Sequence, residues 1–71
     1  MYLAKNLKYL RLKHNYSQTE IADKTGCGSQ TTVSKWETGD ANPPIEKIVI
    51  LSKLYGVGID DLLHKNLRKE G

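Results

Sequence analysis

Leu3, Leu7 and Leu10 recur at i, i+4 and i+7, with Ala4 beside them and Lys5, Lys8 and Lys13 mostly on other faces. That period marks one face of a helix and predicts a first helix over Tyr2 to His14. Asn15 suits its end, because Asn tolerates the left-handed backbone that closes many helices. YSQTEIA, residues 16–22, reads as a helix start: Ser17 is an N-cap, Glu20 closes a capping box, and Tyr16 and Ile21 flank them as an apolar staple. This second helix is expected to stop at Thr25 or Gly26, since Gly is favoured just past a helix end. Ser29 is the next cap candidate. In QTTVSKWET, Val33 and Trp36 share a face, and Gln30, Thr31, Thr32, Ser34 and Lys35 form the polar remainder. GDANPP, residues 39–44, is a loop. Ile45, Ile48, Leu51, Leu54 and Tyr55 restore a helical stripe that Gly56 and Gly58 break. Ile59, Leu62 and Leu63 make a last short stripe, with Asp60 and Asp61 in its first turn, where acids suit the helix dipole. The tail HKNLRKEG is polar and is expected to fray. The branched residues of IVILSKLY suit a strand, but length and period favour a helix. The pattern therefore predicts an all-α fold: a compact bundle of five helices with no strand, one domain over residues 1–67 and a polar tail at 68–71.

Composition narrows what such a bundle does. A chain of 71 residues makes one domain with a small core. A single cysteine excludes an internal disulfide framework and fits a reducing compartment. No apolar run approaches the ~20 residues that span a membrane, and no signal-peptide pattern is present, so a cytoplasmic setting is expected. The net charge of +3 permits nucleic-acid binding without arguing for it. Four tyrosines and one tryptophan are too scattered for a single-strand stacking platform.

The second and third helices, Gln18 to Thr25 and Gln30 to Thr38, joined by a tight glycine turn, make a helix-turn-helix candidate. A major groove admits one helix, which needs an outward face of groups that donate and accept. Gln30, Thr31, Thr32, Ser34 and Lys35 supply that face, and Val33 and Trp36 anchor its back in the core. Ala22 is small where the two helices cross, and Gly26 ends the first of them. No acid lies between Thr25 and Trp36 to repel phosphate.

SQTEIADKTG, followed by SQTTVSKWETG and then a proline, resembles the lambda repressor and Cro type of helix-turn-helix family, the XRE-like regulators. The likeness runs over most of the chain, from Leu3 to Leu63, and includes YGVGIDDLL, which is similar to the family's fifth-helix signature. It implies a lambda-repressor-like fold and a sequence-specific regulator of transcription, a bacterial or phage repressor bound to double-stranded DNA as a dimer at a palindromic operator. It further implies that Gln18 reaches a phosphate, that Gln30 reads a base edge, that Thr31 meets a thymine methyl or a phosphate, and that Lys35 reaches guanine or the backbone. Arg11 and Glu37 match positions that pair in the family and tie the first helix to the third. One departure stands out: Gly26 to Val33 is one step longer than the family's usual spacing. Either the turn carries an extra residue, with Gly28 absorbing the unusual backbone, or the second helix ends later; Ser29 then shares the place given to Gln30.

Other chemistry is thinly supported. Cys27 sits where the family prefers an apolar residue and reads as packing, since nothing nearby marks a reactive thiol. GCGS lacks the Gly-Lys-Ser/Thr ending of a phosphate loop. His14 and His64 have no partner ligands for a metal. No catalytic constellation and no cofactor site emerges, and Lys5, Lys8 and Lys13 read as a solvated face. Leu62, Leu63 and Leu67 are candidates either for a dimer patch or for closing the core. Two alternatives remain open. One is an antitoxin or adaptor module that binds protein, although only about eight residues follow Leu63 to hold a partner. The other is the N-terminal DNA-binding fragment of a longer repressor.

Overall fold

The computed structural model describes residues 1–68, which form five helices: α1 (Leu3–Lys13), α2 (Gln18–Thr25), α3 (Gln30–Thr38), α4 (Ile45–Tyr55) and α5 (Ile59–His64). Among the described residues there is no strand, and no helix is long and apolar enough to cross a membrane. Apart from Arg68, the expected polar tail lies outside the described residues.

One core unites the helices. Leu3, Leu7 and Leu10 of α1 meet Ile21 and Ala22 of α2, Val33 and Trp36 of α3, Ile48, Leu51 and Tyr55 of α4, and Leu62 of α5. α1 packs on α3 and α5, α2 packs on α3 and α4, and α4 packs on α5. Tyr55 also joins a ring cluster with His14 and Tyr16, its centroid 5.1 Å from the first and 6.5 Å from the second. Burial pushes the Tyr55 phenol well above its ordinary pKa, and the nearby Glu37 charge raises it further.

Three helices end by one device. At Asn15 (φ 61°), Gly26 (φ 72°) and Gly56 (φ 66°) the backbone turns left-handed. The next residue's N–H then returns to a carbonyl of the last turn: Tyr16 to Arg11 at 3.0 Å, Cys27 to Ala22 at 3.2 Å, Val57 to Ser52 at 3.1 Å. Tyr16, Cys27 and Val57 each lay an apolar side chain against the core, as this helix ending favours. Cys27 is thereby accounted for as packing. The capping box before α2 is also formed: the Glu20 N–H donates to Ser17 Oγ at 3.0 Å, and the Ser17 N–H donates to Glu20 Oε1 at 2.8 Å.

The turn between α2 and α3 is four residues long, and α2 does not run on past Thr25. α2 stops at Thr25 and α3 begins at Gln30, so Gly26, Cys27, Gly28 and Ser29 connect them. Gly28 takes φ 76° with open space where a Cβ would stand, so it is backbone freedom and not crowding that calls for glycine. Ser29 holds the N-cap conformation, but its hydroxyl makes no capping bond. Its carbonyl secures the first turn instead, accepting from the N–H groups of Thr32 and Val33.

Of the two readings of the C-terminal leucines, the structure bears out core closure. Leu62 is 0% exposed, and Leu63 and Leu67 pack on the core, so Leu62 closes the interior and is not available as a dimer patch. Ile45, placed on the apolar stripe of α4, is 62% exposed because it stands at the helix's first residue, beyond the core. Residues 65–67, expected to fray with the tail, are held. Asn6, fully buried on the leucine face of α1, donates from Nδ2 to the carbonyls of Leu62 (2.8 Å) and Lys65 (2.7 Å). Its Oδ1 accepts from the N–H of Leu67 at 3.1 Å, and the Tyr2 N–H donates to the Leu63 carbonyl at 2.8 Å.

Candidate nucleic-acid interface

α3 is built with two faces. Val33 and Trp36, 1% and 3% exposed, fix its inner side. Gln30, Thr31 and Lys35 are exposed, whereas Thr32 and Ser34 are half-buried along the edges, and Ser29 is half-buried at the turn. Ala22 is buried where α2 meets α3, and Gly26 ends α2 in the left-handed conformation. The outward surface is therefore narrower than the five polar residues of the helix suggest: Gln30, Thr31 and Lys35 project from it, together with Thr38 at its far end.

A hydrogen-bonded chain of side chains runs from α1 to this surface. Arg11 Nε donates to Glu37 Oε2 at 2.7 Å, and Arg11 Nη2 donates to Glu37 Oε1 at 3.1 Å. Arg11 Nη1 donates to the Tyr16 carbonyl at 3.0 Å, which fixes the guanidinium against the end of α1. The two side chains are 11% and 4% exposed. The hydrogen bond to Glu37 raises the pKa of Arg11 above its ordinary value, against the opposing cost of burial. Gln18, the first residue of α2, donates from Nε2 to Glu37 Oε1 at 3.2 Å. Gln30, the first residue of α3, donates from Nε2 to Gln18 Oε1 at 2.5 Å. The starts of both helices are thus bound to one another and, through Glu37, to α1.

These groups line an open cleft, with Lys8, Ser17, Thr19, Ser34 and Thr38 completing its walls. Lys8, expected on a solvated face, is exposed, and the packing of α1 on α3 sets it beside the same open cleft as Gln18 and Gln30. A helical wheel separates Lys8 from the leucine stripe but does not say which neighbour its face meets. Thr38 donates to Asp40 Oδ2 at 3.0 Å, tying the end of α3 to the following loop. The Glu37–Gln18 bond is a further feature that local sequence patterns do not reveal. Among the described residues no group of His, Cys, Asp and Glu side chains is arranged to hold a metal ion.

Comparison with known proteins agrees with this geometry. The model of a family described as helix-turn-helix matches residues 7–62. The chain is 39% identical over 57 residues to the HTH-type transcriptional activator BcrR of Enterococcus faecalis, covering 80% of this chain and 28% of that protein. It is 38% identical over 66 residues to the HTH-type transcriptional regulator ImmR of Bacillus subtilis, covering 93% of this chain and 51% of the relative. It is 33% identical over 57 residues to the cryptic phage CTXphi transcriptional repressor RstR of Vibrio cholerae, covering 80% and 50%. The chain spans about half or less of the length of these relatives, whose names are those of regulators and not of enzymes. No solved structure gives a significant match.

Proposed function

The chain belongs to the helix-turn-helix family, and from that membership we propose that it is a sequence-specific regulator of transcription that binds double-stranded DNA with α3 in the major groove. The observation that carries this reading is the pair of glutamines at the two helix starts. Gln30 is exposed and held by Gln18. Its amide keeps a second N–H and its carbonyl free, the complement of adenine N7 and N6. Gln18 keeps one N–H beyond its bond to Glu37, at the N-terminus of α2 where backbone N–H groups favour an anion; a DNA phosphate suits that position. Thr31 meets a thymine methyl or a phosphate, Lys35 reaches a guanine or the backbone one turn on, and Ser29, Thr32 and Ser34 flank the contact. Arg11 and Glu37, with Ala22, Gly26, Val33 and Trp36, hold the two helices in place.

The protein acts as a repressor in the bacterial or phage manner, in the cytoplasm, at an operator of two half-sites about one helical turn apart. A module this small makes few base contacts, and two copies on an inverted repeat multiply both affinity and specificity. Residues 1–67 are the DNA-binding unit. The test is selection from a random duplex pool. Enrichment of an inverted repeat supports the reading, and recovery of unselected sequence contradicts it.

A further inference from the structure

We infer that Glu37 is a positioning residue for base readout: by accepting from Gln18 it fixes which end of the Gln30 amide faces the groove. This rests on the reading of α3 given above. An amide's oxygen and nitrogen are nearly the same size, so two glutamines bonded only to each other have two equivalent arrangements. Either Gln30 donates to Gln18, or Gln18 donates to Gln30. Glu37 removes that equivalence. Paired with a guanidinium, it is a carboxylate and can only accept, and it lies 3.2 Å from the Gln18 amide nitrogen. Reversing Gln18 would set a carbonyl oxygen against a carboxylate oxygen at that distance. Gln18 therefore gives its N–H to Glu37 and turns its carbonyl to Gln30, which must donate. Arg11, which can only donate, holds the carboxylate from the other side at 2.7 and 3.1 Å. Donation runs toward Glu37 from both directions, and no member of the chain is free to flip alone.

The consequence falls on the base pair. Gln30 presents an N–H on the Gln18 side and a carbonyl on the far side. Adenine, with an acceptor at N7 and a donor at N6, satisfies both. Guanine offers acceptors at both N7 and O6, and its O6 meets the carbonyl oxygen. A Gln30 free to turn brings its NH₂ to O6 and loses this discrimination. Glu37 thus does more than tie α1 to α3, whereas Arg11 keeps the structural role alone.

The experiment measures binding of the full chain to synthetic duplexes carrying the selected site, with adenine or guanine at the position whose preference disappears in Gln30→Ala. Glu37→Gln replaces the obligate acceptor by a group that accepts or donates, and its adenine-over-guanine ratio is expected to fall about tenfold. Arg11→Met breaks the same ion pair but leaves the carboxylate, and its ratio is expected to match the parent's. Any uniform change in affinity from altered charge cancels in the ratio, and circular dichroism confirms that each variant is folded. A parental ratio in Glu37→Gln overturns the inference, as does an equal loss in Arg11→Met, which would reduce Glu37 to a structural strut. If Glu37→Gln does not fold, the double variant Arg11→Met, Glu37→Leu removes the acceptor without leaving a buried charge unpaired; loss of the ratio there beside a parental ratio in Arg11→Met supports the inference, and its retention overturns it. A parent protein with no position sensitive to Gln30→Ala overturns the reading of α3 itself, and this is seen before any Glu37 variant is made.

Discussion

Two groups of polar side chains leave α1 in different directions. Asn6 turns inward and bonds the backbone of Leu62, Lys65 and Leu67, all from a residue that is 0% exposed. Arg11 turns toward α3, and its chain of bonds runs through Glu37 and Gln18 to the exposed Gln30. The first group is closed: every bond ends on backbone of the same chain, and its work is to keep the two ends of the fold together. The second is open at one end, where Gln30 retains hydrogen-bonding groups for something outside the protein. A closed polar group inside a small core stabilises the fold because losing a member strands its partners out of water. An open one, on the role proposed for Glu37, carries position from the core to the surface.

That contrast is broken most severely by Asn6→Leu. The substitution leaves two carbonyls and one N–H without their partner and costs about 2–4 kcal/mol of stability. For a domain of this size that is a fall in melting temperature of roughly 10–20 °C, read by circular dichroism. Below the transition, the variant's order of preference among DNA sequences is expected to match the parent's. Gln30→Ala is the reverse case. Binding to the selected site weakens by about 1–3 kcal/mol, whereas the melting temperature stays within a degree or two, because an exposed side chain far from the core is removed. Ser17→Ala lies between them. It removes one half of the capping box and costs about 1 kcal/mol in thermal unfolding; because α2 frays from the end that holds Gln18, site affinity falls with it. Cys27→Ala has the smallest effect, about 0.5 kcal/mol. DNA binding in this variant and in the parent is expected to respond alike to mild oxidant; a sensitivity that disappears with the cysteine would give the thiol a role beyond packing.

How far each group could be read from the sequence follows from the range of its interactions. The capping box at Ser17 and Glu20, the left-handed ends at Asn15 and Gly26, and the two-sided pattern of α3 are encoded within a few residues, and each stands where local rules place it. The Arg11–Glu37 pair came from family resemblance, since nothing in a helical wheel joins residues so far apart. Asn6 interrupts a leucine face, and that is the one sign of its role that the sequence offers. Its partner Leu62 lies 56 positions away, and only the packing of α1 on α5 brings them together. The same distance hides the fate of residues 65–67, which look free to fray in the sequence and are held by the buried Asn6 side chain. Ser29 is the N-cap that the sequence marks, though by a different group. A serine before a helix suggests a hydroxyl cap, but in this turn the carbonyl carries the first bonds. Lys8 is exposed as its place on the wheel suggests, and only the tertiary structure shows that its face borders the cleft.

The proposal that α3 reads bases through Gln30 is tested most directly by a preference map. Every position of the selected site is substituted in turn, and the affinities of the parent and of Gln30→Ala are measured for each duplex. The account predicts that the variant loses its preference at one position in each half-site and keeps the parent's order at all others. Equal affinity of both proteins for every duplex, or a loss spread evenly over all positions, would contradict it.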